Sequence, residues 1–132
     1  MYTHCASRYT SHEYLLRNPT WDFEDSPWKA EKLLEILASA NCEASSICEV
    51  GCGAGGVLSS LRTLFPNAEL FGYDIAPDAE KFWSLHAWAN ISFKVGDFFE
   101  QNQRHFDVVL RLDVIEHLEN PCDFLRRLRQ YG

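Results

Sequence analysis

At 132 residues the chain has room for one domain, and a composition 46% hydrophobic and 14% aromatic excludes a disordered polypeptide. A formal net charge of -7 argues against a general nucleic-acid or membrane-surface binder. No apolar run reaches the length of a membrane span, and the N-terminus lacks the apolar core of a signal peptide.

Residues 1–26 are polar, aromatic and irregular, and Tyr9, Tyr14, Trp21 and Phe23 follow no clean period. They read as a leader or lid ahead of a domain spanning 27–132. "EDSPWKAEKLLEILASAN" predicts a helix, with Ser26 as its cap, Pro27 in its first turn and Asp25 complementing its dipole. Ala30, Leu33, Leu34 and Leu37 form its apolar stripe. "SICEVG" predicts a strand ending at glycine. A helix follows from Gly55, with Leu58, Leu61 and Phe65 on one face and Pro66 beyond its end. "ELFGYD" is a second strand, and Pro77 opens a helix carrying Phe82, Trp83 and Leu85. "ISFKVGD" alternates as a third strand, and "FDVVLRL" is apolar like a strand buried on both faces. Asn120 and Pro121 start a last helix with Phe124, Leu125 and Leu128 facing inward.

Strands alternating with helices imply an α/β fold with a doubly wound parallel sheet. Ligands bind such sheets beyond the carboxyl ends of the strands. Glu49, Asp74, Asp97 and Asp113 all fall at strand ends.

The five cysteines, at positions 5, 42, 48, 52 and 122, are odd in number and contain no C-x-x-C pair. They read as reduced thiols of a cytoplasmic protein. The five histidines share no ligand spacing with them, so no metal site is expected. His4, His12, His86 and His105 belong to no constellation and read as surface or half-buried residues. Trp21 and Trp28 read as packing residues.

The loop "CEVGCGAGG" fits two fingerprints. Gly51, Gly53 and Gly56 spell G-x-G-x-x-G, and Asp74 stands 21 residues beyond Gly53, where a dinucleotide domain places its ribose-binding acid. Gly51, Gly53 and Gly55 also spell G-x-G-x-G, with Glu49 two residues ahead. A pyrophosphate at a helix N-terminus is repelled by a nearby carboxylate, whereas a cationic ligand is attracted. S-adenosylmethionine has no phosphate and carries a sulfonium and an ammonium. In "VGDFFE", Asp97 can accept from an adenine amino group, and Phe98 offers a ring beside the base. "LRLDVIEHLENP" then brings Asp113, Glu116 and His117 to the crevice edge.

With these motifs the chain resembles the class I S-adenosylmethionine-dependent methyltransferases of the broad small-molecule group. Their pattern is E/D-x-G-x-G-x-G, an acid after strand 2, "GD" after strand 3 and "D-V-I-E-H" after strand 4, all present in order across about residues 46–128. The resemblance implies that Gly51, Gly53 and Gly55 line the methionine part of the cofactor. It puts Asp74 on the ribose, Ile75 on the adenine face, Asp97 and Phe98 at the adenine edge, and Leu112 and Asp113 near the sulfur. His117 is the candidate base, tuned by Glu116 or Asp113; its competing role is to orient the loop after strand 4. Asp97 likewise has a competing role as the cap of "FFEQNQ". "D-V-I-E-H" also resembles the E-x-x-E-H of small-RNA 3′-end methyltransferases, but the first acid is aspartate and no further histidine follows.

The resemblance implies a Rossmann-like sheet with strand order 3-2-1-4, the N-terminal portion of a seven-stranded fold incomplete at its C-terminus. Strand 4 would then be an exposed edge through which the chain could self-associate. The functions to be separated are three. The first is a methyltransferase acting on a small-molecule acceptor, with neither nucleic acid nor membrane as partner. The others are an NAD-dependent Rossmann oxidoreductase and a non-catalytic module that binds S-adenosylmethionine.

Overall fold

The computed structural model describes residues 12–21, 23–112 and 118–132. Its elements run in the order expected of a doubly wound unit. Helix α1 (Glu13–Arg17) and a 3-10 turn (Phe23–Asp25) precede helix α2 (Ser26–Ser39). Strand β1 (Ser46–Val50), helix α3 (Gly56–Leu64) and strand β2 (Glu69–Asp74) follow. Helix α4 (Glu80–Trp83) lies between 3-10 segments Pro77–Ala79 and Ser84–Ala89. Strand β3 (Ile91–Val95), helix α5 (Phe98–Gln101), strand β4 (Val108–Leu110) and helix α6 (Pro121–Leu128) complete the series.

The four strands are all parallel and ordered β3-β2-β1-β4, as the sequence implied. Register pairs Glu49 with Gly72 on one side and Leu110 on the other, so β1 is central. Strand alternation sends Ile47 into one core and Cys48 and Val50 into the other. The first core joins β1 and β2 to Ala30 and Leu33 of α2, Leu58 and Leu61 of α3, and Ala76, Ala79 and Trp83. The second is aromatic, with Tyr73, Phe98, Phe106 and Phe124 at its centre and Phe71, Phe99 and Tyr131 against it. Burying Phe124 and Leu128 stabilises the seat of α6 by about 1.5–3 kcal/mol each.

Several expectations are corrected. The leader is not wholly irregular, since it holds α1 and the 3-10 turn. Ser26 is the first residue of α2 rather than its cap. Asp25 occupies the cap position with helical backbone and makes no side-chain capping bond, because the 3-10 turn runs straight into the helix. Ser26 is buried by close approach to Gly56, where a Cβ would lie 2.1 Å from the Ser26 Oγ. Leu34, Leu125 and Trp28 face solvent. Val108 and Val109 are half-buried, so β4 lacks the double burial its composition suggested. The segment after Pro77 is not one helix. Its 3-10 turns eclipse every third residue, burying Ala76 and Ala79, then Trp83, His86 and Ala89, and leaving Leu85 exposed.

Candidate functional site

Glu49, Asp74 and Asp97 stand at or next to the carboxyl ends of β1, β2 and β3, and the glycine loop follows β1. Gly51 N and Cys52 N both donate to Tyr73 O, at 2.7 and 3.0 Å, tying the loop to the end of β2. Gly51, Gly53 and Gly55 have φ of 84, 53 and 85°, a left-handed backbone that costs a residue with a Cβ about 1–2 kcal/mol. Gly56 has no such φ; it is the first residue of α3 and lets α2 approach. The overlapping fingerprints therefore describe two requirements met together. Three glycines shape the loop, and a fourth admits a helix.

Asp74 ends β2 facing this loop. Its Oδ2 accepts from Gly53 N and its Oδ1 from Ala76 N, both at 2.8 Å. Burial pushes the carboxyl above its ordinary value, while the Ala76 and Gly53 N–H groups and the charge of Arg111 act against that rise. Each oxygen keeps a further lone pair for a ligand hydroxyl. Glu49 is buried near the end of β1. Burial pushes the Cys52 thiol up, with the charges of Asp74 and Glu49 adding to the effect. Two carboxyl groups and the Arg111 guanidinium therefore act on the loop.

The remaining expected residues fall as follows. Ile75 is half-buried beside Asp74, and Leu112 is half-buried against the first core. Asp97 caps α5, its Oδ1 accepting from Phe99 N at 2.8 Å. Phe98 is fully buried in the aromatic core, edge-on to Tyr73 and Tyr131. Asp113, Glu116 and His117 lie outside the described residues. Among the described residues no cluster of three metal-ligating side chains occurs, and no helix is long and apolar enough to cross a membrane.

The structure adds residues that motif spacing did not show. Trp83 Nε1 donates to Gly53 O, and His86 Nε2 donates to Ala54 O, each at 2.9 Å. His86 is buried, contrary to its reading as a surface or half-buried residue. Burial also holds it below its ordinary value against the Ala54 bond. Trp83 stacks on Phe93 and His86 on Phe23, so aromatic contacts fix both donors. Arg111 donates from Nη1 to Val50 O at 2.7 Å, its guanidinium 5.0 Å from the Phe124 ring centroid. His12 meets Asp78, and Trp21 lies on Gly53.

A family model described as a methyltransferase domain matches residues 48–131. The ubiquinone biosynthesis O-methyltransferase of Maricaulis maris is 37% identical over 89 residues, covering 63% of this chain and 34% of the relative. That of Cereibacter sphaeroides is 30% identical over 101 residues, covering 73% of this chain and 40% of the relative. The chain thus spans about a third to two fifths of the length of these relatives. A crystal structure of the plantazolicin methyltransferase BamL with a triazolic desmethylPZN analog and SAH superposes with a TM-score of 0.70 at 21% identity. The match covers 96% of this chain and 50% of that one, and it shows the shared fold.

Proposed function

The chain belongs to the methyltransferase domain family, and from that premise we propose that it binds S-adenosylmethionine and serves methyl transfer to a small-molecule acceptor. One observation carries the reading. Three left-handed glycines and the buried Asp74 form a single hydrogen-bonded unit at the ends of β1 and β2. Such a unit gives a nucleoside ligand a close backbone approach and a carboxylate for its ribose. Carboxyl groups of Glu49 and Asp74 buried at the loop suit a cationic ligand better than a pyrophosphate, which supports this reading against an NAD-dependent oxidoreductase.

When bound, S-adenosylmethionine supplies a methyl group already activated on a cationic sulfur. The protein then contributes alignment, and a base where the acceptor must lose a proton. In this reading Gly51, Gly53 and Gly55 line the methionine part, with Glu49 complementing its positive charge. Asp74 accepts from the ribose hydroxyls, Ile75 packs on the adenine, and Asp97 meets the adenine edge in addition to capping α5. Phe98 anchors Asp97 from within the core. Leu112 and Asp113 stand at the sulfur end, and His117 serves as base or orients its loop. The same reading takes the cysteines, which contain no C-x-x-C pair, as reduced thiols of a cytoplasmic protein.

Isothermal titration of the chain with S-adenosylmethionine, S-adenosylhomocysteine (SAH) and NADH tests the reading. Binding of the first two and none of the third is the expected result. The reverse pattern overturns it. Binding of SAH without methyl transfer to any small acceptor supports the non-catalytic alternative.

A further inference from the structure

Two contacts tie residues 12–21 to the glycine loop and its neighbour. At one end His12 Nδ1 lies 2.5 Å from Asp78 Oδ2, a pairing across 66 residues of sequence. At the other, the Trp21 indole lies against Gly53, where a Cβ would come within 2.7 Å of two ring atoms. The Tyr14 and Phe82 rings flank Trp21 at centroid distances of 4.8 and 6.0 Å. Between the two contacts, α1 has no fully buried residue.

The backbone is left-handed at both contact residues, with φ of 70° at His12 and 52° at Trp21. Histidine visits that region more often than most L-residues, whereas a bulky ring such as Trp21 stays there only where tertiary contacts over-determine it. Release of the Trp21 contact would therefore also relax the backbone. Asp78 is prepared for such release. Lys81 Nζ holds its other oxygen at 2.7 Å, so departure of His12 leaves the carboxylate paired. Lys81 first, and His12 after it, hold that carboxyl below its ordinary value.

We propose that residues 12–21 form a strap closed over the glycine loop, latched by His12 on Asp78 and by Trp21 on Gly53, and that the strap gates exchange of the S-adenosyl cofactor. The gating rests on the cofactor reading above; the latch does not. His12 is half-exposed and belongs to neither core cluster, so His12→Gln replaces the ring that meets Asp78 without reaching into the sheet.

Stopped-flow binding of SAH to the 132-residue chain tests the gate. His12→Gln is expected to raise association and release rates together, by about threefold or more, with Kd changed by less than about twofold. Faster release alone, with Kd weakened in proportion, overturns gating in favour of a direct ligand contact, and unchanged rates overturn it as well. Limited trypsin cleavage after Arg17 reads the latch without ligand. Faster cleavage in His12→Gln supports it, and equal cleavage overturns it. If the wild-type chain binds no SAH, the cofactor reading and the gating both fail, while the protease result still decides the latch.

Discussion

Asp74 concentrates the chemistry of the site in one carboxylate. It is buried, bonded to two backbone N–H groups and titrates above its ordinary value of 3.8. A carboxyl whose folded pKa is raised lends its stability fully below the unfolded pKa and loses it as pH rises through the folded one. Ligand binding runs the other way, because only the ionised form accepts from both ribose hydroxyls. Stability and SAH affinity are therefore expected to move oppositely with pH at this residue. Titrations from pH 7.5 downward should show affinity falling at a pH above that of an ordinary carboxylate, and a flat profile would contradict the ribose role. Asp74→Ala should cost about 1.5–3 kcal/mol of SAH binding, roughly 10- to 100-fold. Gly55→Ala tests the loop itself. Its φ is 85° and its Cβ would lie 2.6 Å from Phe93 Cζ. The left-handed backbone alone should cost about 1–2 kcal/mol, read as a lower denaturation midpoint together with weaker SAH binding. These residues were legible because glycines at fixed offsets and an acid at a strand end are local patterns. Phe98 shows the limit of such local patterns. An aromatic after a strand looks the same in sequence whether it faces a ligand or the core.

Strands and long helices were legible from their periods, and the exceptions lie where the period changes. Residues 77–89 carry enough apolar residues for an α-helix, and an α reading puts Leu85 inside. The chain instead runs partly in 3-10 turns, and the buried series becomes Trp83, His86, Ala89. That shift of period places His86 beneath the glycine loop, where it donates to Ala54 O. No spacing rule anticipates it, because the bond joins residues 32 apart. The consequence is a stability term with a definite sign. Burial lowers the His86 pKa from 6.5, so its contribution is present above the unfolded value and is lost as pH falls through the folded one. Urea denaturation of the wild type is expected to show stability declining below about pH 6.5, and His86→Gln should flatten that decline. A decline of equal slope in the variant would assign it to other groups.

The whole molecule is asymmetric about its sheet. One face is covered by α2, α3 and the 76–89 segment, the other by α6 and an aromatic cluster. Arginines add cation–π contacts to the second layer, one of them from α6 itself. Arg104 lies over Phe71, and Arg127 over Phe99. The open feature is β4, which pairs with β1 on one edge and with no other strand among the described residues. The sequence already pointed to this edge, because an apolar "FDVVLRL" placed last in the order 3-2-1-4 has one strand neighbour. It did not show how the chain partly shields the edge. Tyr131 O accepts from Phe106 N at 2.7 Å, and Gly132 lies against Val109, where a Cβ would meet its Cγ2 at 2.7 Å. One hydrogen bond just ahead of the strand and one contact on it give partial cover, and Val108 and Val109 stay partly accessible. An edge of this kind offers backbone N–H and C=O groups to another copy. The chain is therefore expected to self-associate weakly, with a sedimentation coefficient that rises with protein concentration and a broad thermal transition. A single monomeric species across the concentration range, with a sharp two-state melt, would show that Tyr131 and Gly132 suffice to close the edge.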